Sequence, residues 1–272
     1  MTGPLFPQGQ ALYLHTSPEF PMKRLLAAGS GSIYQVCKVF RDGEAGRTHN
    51  PEFTLLEWYR MGFDAAQLMA EVEALARQLL GEHMTLAPSE KLGYREAFQR
   101  HAHLDPHTAT AQDFAQAART HEIHAPPAML AHHDVGIWRD LLLTHLIEPR
   151  LGQGRLTFLY DYPASQASLA RVRPGNPPLA ERFELYLNGT ELANGFHELA
   201  DASEQRTRFE RQLHARSVEH RPTVALDENL LAALASGLPD CSGVALGFDR
   251  LVMLASGART VGEVIAFPLD RA

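Results

Sequence analysis

The sequence predicts an α+β fold: an antiparallel sheet flanked by helices, with a helical insertion. Two observations carry this. Strand-like runs come in hairpin pairs, Ile33–Phe40 with 53–59 across a Gly-rich charged loop, and FELYL with TELA across Asn188-Gly189. The helical patterns stand apart from these pairs instead of alternating with them, as they would in a parallel α/β fold.

The elements follow in order. Ser17 reads as an N-cap, with Pro18 at the first helical position and Glu19 in the first turn, so a helix is expected over 18–28 and ends at Gly29. After the first hairpin, Asp64 caps a helix whose Leu68, Met69, Val72, Leu75 and Leu79 recur at helical spacing up to Gly81. Residues 88–149 are rich in Ala and His and read as an inserted helical subdomain. A strand follows at 156–161, then the hairpin around Asn188-Gly189 within 181–199, a charged helix at 202–216 and a short helix at 228–236. A strand at 242–246 and a helix at Phe248–Ser256 close the chain. With no repeat, low-complexity tract or long linker, residues 1–272 read as a single catalytic domain.

The bulk numbers exclude several classes. At 272 residues, 45% hydrophobic and 21% charged, the chain has the composition of a globular enzyme. No apolar run approaches the roughly 20 residues of a membrane span, and MTGPLFPQGQ has no export-signal pattern. Cys37 and Cys241 are far apart and read as reduced core thiols of a cytoplasmic protein. The net charge of −7 weighs mildly against a nucleic-acid partner, which usually meets a basic face.

The first hairpin holds a distinctive inventory. Its first strand runs into Arg41, and Glu57 and Tyr59, two residues apart on the second, share a face. An Arg, a carboxylate, an Asn and an aromatic ring around one concavity suit a phosphate, a purine and an amine. Arg250 falls in the first turn of the last helix, after Gly243-Val-Ala-Leu-Gly247, where small residues admit a ligand and a helix N-terminus favours anions. Plain packing also accounts for glycines at such a helix start.

Glu191 and Glu198 flank Asn194-Gly195. Two such acids could hold Mg²⁺ through oxygen ligands; alternatively, one is solvated and the other paired. Seven residues is an odd step, so the two acids reach one site only across a kink, for which Asn194-Gly195 is the candidate bulge. His101, His103, His107, His121, His124, His132 and His133 lack zinc-site spacing and read as solvated surface. No nucleophile elbow, P-loop or dinucleotide fingerprint is present, so a covalent nucleophile is not indicated.

In combination these segments are specific. FRDGEAGRTHNPEF, ELANGFHE and GVALGFDRLVML resemble motifs 2 and 3 of the class II aminoacyl-tRNA synthetases, the lysyl subgroup especially. TSPEFPMKRLLAAG, HNPEFTLLEWYR, PASQASLA and PDCSGVALGFDRLVMLASG resemble its elongation factor P–lysine lysyltransferase branch, paralogues that modify a protein lysine and lack the anticodon-binding domain. The resemblance implies ATP and Mg²⁺, activation of (R)-β-lysine or lysine as an adenylate, and transfer to a lysine of elongation factor P.

Matching motif positions carry roles. Arg41 would hold the α-phosphate and Arg250 the γ-phosphate, as the catalytic pair, and Phe53 would stack on adenine. Asp42, Gly43, Glu44, His49, Asn50, Glu191, Leu192 and Gly247 would complete the ATP site, with Glu191 and Glu198 on the metal side. Ser17, Pro18, Glu19, Glu57, Tyr59, Glu198 and Ala245 would surround the substrate amines. Ser17 and Ala245 stand where lysyl synthetases tend to carry Ala and Gly, and so bear on the choice of lysine isomer.

Two departures stand out. The acid that motif 2 usually places two positions after its Arg is replaced by Gly43, with Glu44 next to it. Motif 1, which builds the family's dimer interface, and the N-terminal barrel that grips tRNA are not found in these residues; the loss of motif 1 reads as a start codon placed too late or a truncated chain. The expectation is therefore a protein acceptor and a homodimer in doubt. The competing readings are a shortened tRNA-charging enzyme and a non-catalytic paralogue.

Overall fold

A computed structural model describes residues 13–126, 129, 134–218 and 224–272. Its strands are β1 (Ile33–Phe40), β2 (Glu52–Met61), β3 (Ala87–Gly93), β4 (Arg155–Pro163), β5 (Val172–Arg173), β6 (Leu179–Leu187), β7 (Thr190–His197) and β8 (Cys241–Gly247). The helices are α1 (Glu19–Ala27), α2 (Ala65–Leu80), α3 (Tyr94–Ala102), α4 (Ala111–Thr120), α5 (Val135–Leu142), α6 (Ala202–Val218), α7 (Glu228–Gly237) and α8 (Phe248–Ser256). The strands form one sheet in the order β1-β2-β8-β7-β6-β4-β3, with β5 beside β6. Every pairing is antiparallel except β3 with β4. The α+β class expected from the sequence holds.

Both predicted hairpins form. β1 and β2 pair from Ile33 with Tyr59 to Phe40 with Glu52. Asn188 and Gly189 turn the chain between β6 and β7 with φ of +49° and +71°, the left-handed pair a tight two-residue hairpin needs. Asp64 caps α2 by accepting from the Gln67 N–H at 2.8 Å, while the Gln67 side chain accepts from the Asp64 N–H at 3.0 Å. At α1 the helix begins at Glu19, and Ser17 Oγ accepts the Glu19 N–H at 3.0 Å.

The alternation of β2, β7 and β8 decides where the site lies. One face carries Trp58, Leu192, Ala193, Val244 and Leu246 into an apolar core with Leu68, Val72 and Leu80 of α2 and Leu251 of α8. Burying a side chain of this size stabilises the fold by about 1.5–3 kcal/mol. The opposite face, bearing Glu57, Tyr59, Asn194, Phe196, Gly243 and Ala245, is left to a cavity. A second core joins α3, α4 and α5 to β4 and β6 through Phe98, Phe114, Trp138, Leu159 and Tyr186. A third seats Met22 and Leu26 of α1 on Leu230 and Leu234 of α7, with Tyr59 and Cys241.

Two expectations need correction. Residues 88–149 are not helical from their start, because β3 occupies Ala87–Gly93 at the sheet edge, parallel to β4. Its Pro88, Glu90 and Lys91 break a strand-like pattern, yet these residue types are the ones an edge strand tolerates. The kink in β7 lies at Leu192 instead of Asn194-Gly195: β7 advances from Glu191 to Ala193 while β6 advances only from Tyr186 to Leu185. Gly195 serves packing, since a Cβ there would fall 2.6 Å from Phe183 Cζ and 2.9 Å from the Gly243 carbonyl.

His132 and His133 lie outside the described residues. The other insertion histidines named above are exposed or half-buried, and no group of three His, Cys, Asp or Glu side chains suited to a metal occurs among the described residues. No described helix is long and apolar enough to cross a membrane.

Candidate active site

The cavity on the open face of β2, β7 and β8 has a volume of about 340 Å³. The Leu192 bulge makes it a single site: it turns Glu191 to the side already occupied by Asn194, Phe196 and Glu198, so both acids of β7 line one space. The two ends of that space differ in chemistry.

One end is cationic. Arg250, in the first turn of α8, donates from Nε to the Thr48 carbonyl at 3.1 Å, and from one terminal nitrogen to the Glu191 carbonyl at 2.9 Å and carboxylate at 3.3 Å. Its other terminal nitrogen lies 2.7 Å from His49 Nε2. A guanidinium can only donate, so His49 accepts there and its proton sits on Nδ1, toward Thr48 Oγ1 at 3.3 Å. Burial and the Arg250 charge lower the His49 pKa, which keeps the ring neutral.

Arg41 stands nearby with its guanidinium 5.1 Å from the Phe53 ring centroid, and its Nε donates to the Thr16 carbonyl at 3.3 Å. Gly43, at φ +76°, turns the loop in a conformation glycine adopts without strain, and Glu44 rather than Gly43 lines the cavity, 3.7 Å from Arg41. The displaced acid of motif 2 thus reaches the cavity from the next position. Asp249, buried beside Arg250, accepts the Thr54 N–H at 2.6 Å and ties α8 to the hairpin.

The other end is acidic, with two buried carboxylates. Glu57, only 2% exposed, accepts from Tyr59 OH at 2.7 Å and from Ser17 Oγ at 3.0 Å. Burial, helped by the charge of Glu19, pushes its carboxyl up to about 7. Glu198 is equally buried, and its Oε2 lies 2.6 Å from Lys23 Nζ, yet neither of its oxygens accepts a well-directed hydrogen bond. Its pKa is raised, first by burial and against the pull of Lys23. Gly243 makes room here, because a Cβ would fall 2.3 Å from Tyr59 Cε1 and 2.5 Å from Glu198 Oε1.

Most of the residues singled out in the sequence come together. Ser17, Glu19, Arg41, Glu44, His49, Asn50, Phe53, Glu57, Tyr59, Glu191, Leu192, Glu198, Ala245, Gly247 and Arg250 all line the cavity. Pro18, Asp42 and Gly43 do not. Asn50 has a structural task as well: its amide donates to the Glu52 carbonyl at 2.7 Å and accepts the Leu269 N–H at 3.0 Å.

The residue reading missed Asn194, Phe196, Ser168 and Lys23, and took Gly243 only as a small residue ahead of Arg250. Asn194 faces the cavity with its Oδ1 accepting from Arg182 at 3.3 Å. Ser168 lines it in a left-handed conformation, φ +51°. Lys23 left a legible trace, since it follows Glu19 by four residues, the spacing of a helical ion pair.

Residues 4–271 match the family of class II tRNA synthetases for D, K and N. The chain belongs to the class II tRNA synthetase family. It is an ATP-using ligase of that family. Among its relatives, the elongation factor P--(R)-beta-lysine ligases of Klebsiella pneumoniae subsp. pneumoniae, Salmonella paratyphi B and Salmonella choleraesuis are each 51% identical over 270 residues. That alignment covers 99% of this chain and 81% of each relative. Within the class II family the bipolar cavity has a plain chemical meaning: cations at one end suit phosphate oxygens, and buried carboxylates at the other suit amines.

Proposed function

We propose that this class II ligase activates (R)-β-lysine with ATP and transfers it to a lysine ε-amine of translation elongation factor P, in the cytoplasm. The observation that carries the reading is the 51% identity, over 99% of the chain, to proteins bearing that name. A cavity that joins a phosphate end to an amine end supports it.

The substrate carboxylate attacks the α-phosphorus of ATP; an O–P bond forms, the α–β bridging bond breaks, and pyrophosphate leaves. The acceptor amine then attacks the activated carbonyl, an amide bond forms, and AMP leaves as the amine loses a proton. The residues catalyse by holding and by charge. Arg41 takes the α-phosphate and Arg250 the γ-phosphate, with Phe53 against adenine. His49, held neutral by Arg250, adds no charge of its own to that end. Glu19, Glu57, Tyr59 and Glu198 take the substrate amines in this reading, and Ser17 and Ala245, which line the cavity, bear on the choice of lysine isomer.

Mg²⁺ fits the donor set. Glu191 is partly exposed at the phosphate end, where its carboxylate together with phosphate oxygens suits the ion. Glu191 would hold the ion, which would neutralise phosphate charge when bound, whereas Glu198, expected on the metal side, has Oε2 2.6 Å from Lys23 Nζ and belongs to the amine end. A net charge of −7 favours a protein acceptor over tRNA.

The test offers the enzyme ATP and labelled (R)-β-lysine with either elongation factor P or tRNA. Label on elongation factor P, with one AMP released per transfer, is the expected result. Label on tRNA alone, or no pyrophosphate exchange with (R)-β-lysine, would overturn the proposal.

A further inference from the structure

We propose that Lys23 is a positioning residue of the amine end, a built-in ammonium that holds Glu19 and Glu198 in place and sets the pocket to receive a substrate with two cationic amines. The inference rests on the proposed reading of this end as the amine site.

Lys23 lies on α1 and is 2% exposed. Its Nζ is 2.8 Å from Glu19 Oε1, one turn earlier, and 2.6 Å from Glu198 Oε2, at the end of β7. The same nitrogen lies 5.3 Å from the centroid of the Phe196 ring. Taking an ammonium and a carboxylate out of water carries a large desolvation penalty, which the pair recovers only in good geometry, so an apolar side chain would serve a purely structural purpose at lower cost. Lys23 does not itself line the cavity, whereas Glu19, Phe196 and Glu198, the groups it touches, all do. It therefore acts through them.

The charge count gives this arrangement a purpose. Glu19, Glu57 and Glu198 together carry three negative charges when ionised, and Lys23 leaves two. The other groups facing it are Tyr59 on β2, with its hydroxyl on Glu57, and the Cys241 thiol on β8; both are neutral. Two uncompensated charges in a largely buried site match a substrate that brings two ammonium groups. A monoamine leaves one carboxylate unpaired and is rejected by that cost.

The placement of oxygens agrees. Both oxygens of Glu57 are already met by Tyr59 and Ser17. Lys23 draws Oε2 of Glu198 to itself, and Oε1, buried against Gly243, has no hydrogen-bond partner. Without Lys23, Glu19 and Glu198 would confront each other as like charges and lose these positions.

The experiment measures ATP–pyrophosphate exchange with (R)-β-lysine and with 3-aminohexanoic acid, the same skeleton lacking the terminal amine, for wild type, Lys23→Met, Glu198→Gln and the double variant. In Lys23→Met, kcat/KM for (R)-β-lysine should fall about 100-fold, as for the loss of one partner of a buried charge pair, while the KM for ATP stays within about threefold. The preference for the diamine should fall with it. Because Lys23 works through Glu198, the double variant should be no worse than Glu198→Gln alone. That comparison stands even if Lys23→Met does not fold, since the double variant removes both charges together. A double variant about tenfold worse than Glu198→Gln, or a Lys23→Met enzyme of lower Tm with an unchanged diamine preference, would overturn the inference. Wild-type enzyme without exchange on (R)-β-lysine would instead remove the functional reading beneath it.

Discussion

The two ends of the cavity solve opposite electrostatic problems by different means. At the phosphate end the charged groups are only partly buried and lean on replaceable partners: Arg250 on a backbone carbonyl, a neutral imidazole and Glu191, and Arg41 on a carboxylate 3.7 Å away. These contacts can be exchanged for phosphate oxygens at modest cost. At the amine end the charges are buried, and their number is set by an internal counter-ion, Lys23. An end that receives a large, highly charged group can stay wet and adaptable, whereas one that must count amines has to be dry and rigid.

Substitutions that strike only one end test this contrast. The largest effect belongs to Arg250→Ala. It removes the cation that the proposed mechanism sets on the γ-phosphate, and the Glu191 carboxylate loses its hydrogen-bond donor. Pyrophosphate exchange should fall by about 10³-fold or more, on the scale of losing a preorganised charge-stabilising group. An undiminished rate would take Arg250 out of the mechanism and erase the distinction between the ends.

Gly243→Ala should come next and should injure only the amine end. The added Cβ would meet Tyr59 at 2.3 Å and Glu198 at 2.5 Å, on a strand that cannot retreat because β2 and β7 pair with it on both sides. The expected outcome is a KM for (R)-β-lysine raised about 100-fold, with ATP binding close to wild type, on the scale of misplacing a positioning group by about an ångström. Equal losses for both substrates would show that the ends are not separable.

Glu57→Gln should cost less, about tenfold in substrate KM, and carries a pH signature. Glu57 ionises at about 7 in the empty site, and an ammonium binds its ionised form, so binding expels a proton. Affinity for (R)-β-lysine should therefore rise as pH increases through 7, and Glu57→Gln should flatten that segment of the profile. The folded pKa lies above the 4.5 of an ordinary Glu, so between about 4.5 and 7 the folded protein holds more protons than the unfolded chain. Stability from this group is then lost as pH rises across that window, and the Tm of Glu57→Gln should fall less with pH than that of wild type.

How far each end was legible in the sequence follows the same division. The phosphate end is written in local motifs: Arg41, Phe53 and Arg250 lie beside the turns and glycines that present them. The amine end is written in tertiary structure. The dryness of Glu57 and the fit of Gly243 against Tyr59 arise only when α1, β2, β7 and β8 converge. Lys23 is the instructive failure, because its i+4 relation to Glu19 was visible while its second partner, Glu198, lies 175 residues away in the chain. The Leu192 bulge was foreseen as a kink and misplaced, since Asn-Gly is the usual signal and Leu carries none. The β3 strand was missed because an edge strand with Pro and charges does not alternate as a half-buried strand does.

The smallest effect should come from the residue that first seemed most irregular. Glu44 lines the cavity one position later than the family pattern places its acid, and its link to Arg41 is a partly exposed pair at 3.7 Å. Such a pair is worth at most about 1 kcal/mol, so Glu44→Gln should change the KM for ATP by about fivefold or less and leave the substrate KM alone. Gly43→Ala strikes the same loop through its backbone: at φ +76° an alanine is strained, and the loop that delivers Glu44 should shift. If Gly43→Ala weakens ATP binding more than Glu44→Gln does, the glycine turn matters for more than that one carboxylate. If the two match, the turn's contribution is simply to bring Glu44 into the cavity, and the phosphate end tolerates a one-residue shift because nothing in it is as tightly packed as the acids at the other end.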